Sequence, residues 1–428
     1  MQLPYAPVEF TTSGAVARTE QFDAAVALAK GVGRASPPTH VLCLCHGWNN
    51  TVQDAERFYT VLADRIAAQQ RAPGVRPVVV GLLWPSVQWA DEGGTIAGGA
   101  LAAVDAATRL ADRIDATVED PAAAAALRAQ VPLLDHSPGA RAAFVEALRR
   151  SVLPSPDAVA DDDPMPSPLL HGDVEELFRQ VEQGYLGVLA RSPQLLAHAG
   201  ARPVGGPGGA AGFGDGFLSP LVLARFLLNM GTYYRMKERA GDVGRNGVAR
   251  LLRRLATEAG GASVSLVGHS FGARVISAAA ADGAPAHALC LLQGAFSQFA
   301  FDDATGPLGT VGAFRRAVRG GAVGGPIVVT HSQKDLAVRF AYAIASRIAQ
   351  QVASGLGDRD DPYGGIGANG AVGLPAVEVR EGTLGPVGTT YRFAEARVHN
   401  LAGDAVISGH GAVDGPEVAN AVRQAAFG

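Results

Sequence analysis

The chain has 428 residues, 48% hydrophobic and 18% charged. That length holds one large domain or two medium ones, and the apolar share supports a sizeable core and excludes wholesale disorder. Net charge is −4 on 36 basic and 40 acidic residues, which excludes the basic footprint of a nucleic-acid binder.

The opening MQLPYAPVEFTTSG has no basic segment leading into an apolar one, so no secretory leader is expected. Thr39 to Cys45 is a continuous apolar run and reads as a strand buried on both faces. Within it Cys43 and Cys45 should share one face. With Cys290 they form neither a disulfide framework nor a metal spacing, which fits a reducing cytoplasm. Asp54 to Gln70 then carries apolar residues at helical spacing, and Pro77 to Trp84 is a second buried strand stopped by Pro85.

From about Asp91 to Gly241 the strand pattern gives way to helical segments at 95–118, 121–130, 140–152 and 173–191. An acidic, proline-rich loop (161–168) and a glycine-rich loop (205–216) lie between them. Ser219-Pro220 opens a helix to about Ala240, with serine as cap and proline at the first helical position. The apolar stretch Phe217 to Met230 contains Arg225 and is too short and too polar to span a bilayer.

Alternation then resumes: helix 247–259, strand 262–268, helix 270–281, strand 286–296, strand 326–330, helix 336–353, strand 389–399 and helix 415–426. The pattern predicts an α/β fold, a mostly parallel sheet with helices on both faces. The sheet domain is expected to be discontinuous, 1–90 and 242–428, with 91–241 as a large, mainly helical cap inserted into it.

The strongest chemical signal is Gly268-His269-Ser270-Phe271-Gly272, a G-x-S-x-G between a buried strand and a helix of small residues. A sharp strand-to-helix turn there exposes the serine hydroxyl. The flanking glycines let the turn close, and the helix N-terminus aims the Phe271 amide at a developing oxyanion. A serine hydroxyl is a weak nucleophile, so a base and an orienting acid must follow, in the order serine, acid, histidine. His410 sits in the glycine-flanked loop Ser408-Gly409-His410-Gly411, where a base has the freedom it needs. His399, in the last strand, reads as structural, and His287 lies inside an apolar strand. Asp335 follows the strand Pro326 to Thr330 and is the expected acid. Its competing reading is the cap of the helix 336–353, since aspartate is favoured there too. Asp302 and Asp303 are the alternatives, whereas Asp358, Asp360, Asp361 and Asp404 are less favoured. The second oxyanion donor should be the Trp48 amide, in the loop His46-Gly47-Trp48-Asn49-Asn50 after the first buried strand. His46, Asn49, Trp84 and His269 are candidate pocket residues. Trp84 and Trp89 either line that pocket or pack under the cap.

Together, a strand ending in HGWNN, a strand ending in Leu83-Trp84-Pro85-Ser86 and the run GHSFGARV make the chain resemble the α/β-hydrolase superfamily. Within it the chain is similar to a bacterial branch with HG-aromatic-N and WPS motifs. The resemblance covers about 39–90 and 242–428. It implies an α/β-hydrolase fold and serine-hydrolase chemistry through Ser270, Asp335 and His410.

Other patterns carry less. Gly365 to Gly370 fits G-x-G-x-x-G, but no strand precedes it, so no dinucleotide site is expected. Neither a Walker A motif nor H-E-x-x-H is present, and no metal or cofactor is expected. The expected activity is cleavage of a small acyl substrate, an ester, thioester or amide, through an acyl-enzyme. Carboxylic esters are favoured. The alternative is a non-catalytic protein on the same fold that binds a ligand or partner.

Overall fold

The computed structural model describes residues 1–69, 72–86, 103–153, 165–191, 218–306, 309–339, 359 and 361–428. Trp89, Asp358, Asp360, the glycine-rich run 205–216 and the part of the expected helix 336–353 beyond residue 339 lie outside them.

In chain order the elements are β1 (Tyr5–Glu9), α1 (Thr19–Lys30), β2 (His40–Cys45), α2 (Val52–Ala67) and β3 (Pro77–Leu83). Helices follow: α3 (Ala103–Thr117), α4 (Pro121–Gln130), α5 (Pro138–Ser151), α6 (Ser167–His171), α7 (Val174–Arg191), α8 (Pro220–Asp242) and α9 (Ala249–Glu258). The alternation resumes with β4 (Ser263–His269), α10 (Phe271–Ala281), β5 (Leu289–Leu292), α11 (Arg315–Arg319), β6 (Ile327–His331) and α12 (Ile366–Asn369). The chain closes with β7 (Val379–Thr383), β8 (Val398–Ala402) and α13 (Pro416–Phe427). No helix among the described residues is long and apolar enough to cross a membrane.

The eight strands form one parallel sheet in the order β1-β3-β2-β4-β5-β6-β8-β7. Both faces are covered. In β2, Val41, Cys43 and Cys45 join one apolar cluster with α1, α8, α9 and α10. Leu42 and Leu44 join the other, with α2 and α13. This alternation is the pleat at work, and it places both cysteines on one face as expected. Burial pushes the Cys43 and Cys290 thiols up to about 12, so neither is a ready nucleophile.

Three sequence expectations need correction. The last strand is Val398–Ala402, not 389–399, because residues 389–397 are irregular, with a turn at 395–396, and join no ladder. The strand expected over 286–296 is only Leu289–Leu292, since Gln293 turns to a left-handed φ of 46° and ends it. The helices expected to break near Ala240 are one continuous rod. α8 passes into α9 through a π-turn at Val243–Val248. Two edge strands, β1 and β7, had no clear pattern. β1 carries Pro7, which an edge tolerates, and β7 is mostly exposed.

In a parallel sheet every strand's carboxyl end lies at the same rim. The chain leaves β2 through α2 toward β3, on one side, and leaves β4 through α10 toward β5, on the other. β2 and β4 are neighbours, with Cys45 opposite Gly268. The crevice between their carboxyl ends is therefore the topological switch point, where open α/β sheets bind ligands.

Candidate active site

Ser270 occupies that switch point, between the last residue of β4 and the first of α10. Its backbone is held at φ 56°, ψ −123°, a conformation that costs a non-glycine residue about 1–3 kcal/mol. Three hydrogen bonds enforce it. Ser270 N donates to the Leu292 carbonyl (3.0 Å), and its own carbonyl accepts from Ala273 (3.1 Å) and Ala295 (3.2 Å). The flanking glycines are sterically required: a Cβ on Gly272 would lie 2.4 Å from the Cys45 carbonyl oxygen, and one on Gly268 2.4 Å from that of Gly272.

The rest of the constellation comes from the loops after β6 and β8. The Ser270 hydroxyl donates to His410 Nε2 at 2.9 Å. His410 Nδ1–H donates to Asp335 Oδ2 at 2.8 Å. Asp335 is fully buried, and its second oxygen accepts from the Val338 amide at 3.0 Å. The two sequence readings of Asp335, helix cap and partner of histidine, are thus both realised, one on each oxygen. The other acids are engaged elsewhere. Asp302 accepts from the Asp303, Thr305 and Gly306 amides. Asp303 pairs with Arg319 at 2.8 Å. Asp404 accepts from the Gln333 amide at 2.8 Å. His399 meets the loop at Ala394.

The electrostatics of His410 set burial against charge. Burial opposes protonation, but the Asp335 carboxylate and its hydrogen bond outweigh it and raise the imidazole above its ordinary range.

The loop after β2 passes directly over the serine. A Cβ on Gly47 would lie 2.9 Å from Ser270 Cβ, so only glycine lets the main chain come this close. Asn49 takes a left-handed φ of 57°, which asparagine tolerates. The β3 end holds this loop in place. Asn49 N donates to the Ser86 carbonyl (3.0 Å), Asn50 N to Ser86 Oγ (3.2 Å), and Ser86 Oγ to the Asn50 carbonyl (3.0 Å). Trp84 Nε1 donates to the His46 carbonyl at 2.9 Å. Beyond the loop, Thr51 and Asp54 cap α2 reciprocally. Phe271, first residue of α10, has an amide without an intrahelical acceptor by its position, on the serine side of the helix end.

The candidate pocket residues take supporting positions. His46 is 2% exposed. Its Nδ1–H donates to the Gly47 carbonyl, its Nε2 accepts from Trp84 N, and its ring stacks on Trp84 with centroids 5.8 Å apart. Burial pushes it down to about 4. His46, Trp84 and Asn50 line a cavity of about 250 Å³ with Glu9 and Phe10, a lining that includes neither Ser270 nor His410. His269 Nε2–H donates to the carbonyl of His410 at 2.9 Å. Burial, with the nearby His410 charge, pushes His269 down to about 3, so it stays a neutral donor.

Two residues at the site have no signal in the sequence. Gln293, buried at the end of β5, donates from Nε2 to Asp335 Oδ2 (3.2 Å) and to the Gly367 carbonyl (2.7 Å). Its Oε1 accepts from Thr330 Oγ1 (3.0 Å). Tyr59 of α2 accepts from His46 N (3.0 Å) and donates to the Leu82 carbonyl (2.6 Å), tying β2 to β3. The G-x-G-x-x-G segment forms the short α12 beside Gln293 and the acid loop, where Ser332 N donates to the Gly367 carbonyl at 3.0 Å. It serves as packing.

A serine hydroxyl on an imidazole held by a carboxylate can lose its proton as it attacks a carbonyl. Compared against protein-family models, curated proteins and solved structures, the chain matches none.

Proposed function

We propose that this chain is a serine hydrolase of the α/β-hydrolase type, with a helical cap inserted after β3, that cleaves a carboxylic ester, thioester or amide. The observation that carries the reading is the unbroken line from Ser270 Oγ through His410 to Asp335, with links of 2.9 and 2.8 Å, on a serine held at φ 56°. Ser270 attacks the acyl carbon while its proton passes to His410 Nε2. Asp335 holds Nδ1–H and stabilises the imidazolium. The amides of Trp48 and Phe271 receive the oxyanion. His410 then returns the proton to the leaving alcohol, thiol or amine. Water, deprotonated by His410, attacks the acyl-enzyme and releases the acid. The nucleophile is serine and the acceptor is carbon, so the chemistry is acyl transfer to water.

A fluorophosphonate probe tests this. It should label the folded chain stoichiometrically at Ser270, and Ser270→Ala should abolish both labelling and turnover of p-nitrophenyl acyl esters. Folded protein that resists the probe, or Ser270→Ala with undiminished esterase activity, refutes the proposal.

A further inference from the structure

The two candidate oxyanion residues touch each other through their side chains, and both touch the insertion. Trp48 and Phe271 meet edge to face with centroids 5.8 Å apart. Tyr233, on α8, packs against both, at 5.2 Å from the Phe271 ring and 6.4 Å from Trp48. These are separations at which aromatic pairs attract. Tyr233 and Phe271 are buried, whereas Trp48 is only partly so. The Trp48 loop is thus held from above by rings as well as from below by Ser86.

α8 is suited to hold its side of this contact still. Its glycine Gly231 sits where a Cβ would lie 3.0 Å from Val152, against the end of α5. One turn past Tyr233, the Lys237 carbonyl accepts from Arg274 Nε of α10 at 2.8 Å. Further on, Arg239 Nη1 donates to the Pro85 carbonyl at 3.0 Å, next to the serine that pins the loop. One rigid helix therefore braces the elbow helix, the β3 end and the loop between them.

We propose that Tyr233 is a positioning residue for acyl transfer: its ring, carried by α8, sets Trp48 and Phe271 so that their main-chain amides converge on the substrate's carbonyl oxygen. This rests on the serine-hydrolase reading. The insertion then acts on the rate of the chemical step and not only on which substrate enters.

The test uses the full chain and a p-nitrophenyl acyl ester, with fluorophosphonate labelling of the wild type run first. Absence of that label refutes the hydrolase reading and this inference with it. Given a labelled wild type, Tyr233→Leu should lower kcat about tenfold or more, with KM within about twofold. A trifluoromethyl ketone, whose adduct carries a true oxyanion, should lose affinity by the factor lost in kcat/KM. Tyr233→Phe should restore both, because it keeps the ring. If Tyr233→Leu fails to fold, Tyr233→Met, whose unbranched chain adapts better to an irregular gap, removes the ring and takes its place. An unchanged kcat in a folded ring-less variant overturns the inference while leaving the hydrolase intact. A raised KM with kcat and ketone affinity unchanged overturns it too, since Tyr233 would then only touch the substrate.

Discussion

Burial works against a charge on His410, whose side chain is 26% exposed, and on its own it would weaken the imidazole as an acceptor of a proton. Asp335, 2.8 Å from Nδ1, reverses the balance and raises the imidazole above its ordinary range. Gln293 fixes the carboxylate oxygen involved, by donating to that same atom. A base must be neutral to accept a proton, so kcat/KM should climb with pH through a limb whose midpoint lies above the usual histidine value of about 6.5. Asp335→Asn removes the charge that raises it. That midpoint should move down, and kcat should drop by about a thousandfold or more as the imidazole loses its tautomer and orientation. Rates across pH 5–9 for both forms check this, and a limb that stays in place in Asp335→Asn excludes Asp335 as the partner.

Among the elements, the loop from His46 to Asn50 is held by its neighbour, the end of β3. Ser86 contributes three hydrogen bonds to it and is 1% exposed. Ser86→Ala leaves the Asn50 amide and carbonyl without that hydroxyl. It should cost about 1–2 kcal/mol of unfolding free energy and, if the loop carries the proposed oxyanion donor, lower kcat more than it changes KM. Stability and steady-state kinetics of Ser86→Ala decide it, and full kcat at reduced stability would make the serine purely structural. Much of this site is readable in sequence because its parts are local. The elbow, the HGWNN loop and the WPS turn each follow a strand end directly, so each shows as a short motif, although Gly47 and Gly272 are required by contacts between the two loops, with Ser270 and Cys45. Asp335 and His410 follow from chain order. Gln293 and Tyr233 were not readable. Each earns its position only from residues dozens of positions distant, and nothing in the local pattern separates a buried glutamine from a strand terminus or a helical tyrosine from core. The edge strands β1 and β7 escaped for different reasons: β7 is mostly exposed, and β1 alternates over only five residues, with Pro7 in the middle.

At the scale of the whole molecule, one rim of the sheet gathers the chemistry, and the same packing buries several histidines in their neutral form. Burial lowers His40, His331 and His399, and takes His46 to about 4 and His269 to about 3. The sign follows from proton counting. Above about pH 6.5 these rings are neutral whether folded or not, and they leave stability unchanged. As pH falls below that, the unfolded chain takes up protons that the folded chain refuses, so stability declines until the folded groups titrate. His46, almost fully buried, alone should cost up to about 2 kcal/mol between pH 6.5 and 5. His410 acts oppositely: its raised value adds stability that is complete below the unfolded value and disappears as pH climbs through the folded one. Five lowered rings against one raised one make acid the net destabiliser. The melting temperature should therefore drop steadily from pH 7 to pH 5, and His46→Gln should flatten that slope by about one proton's worth while lowering stability at pH 7. Thermal melts of both proteins at half-unit steps test it. A melting temperature that holds level from pH 7 to 5 would mean that these rings take up protons in place, and that the rim of the sheet is wetter than its packing implies.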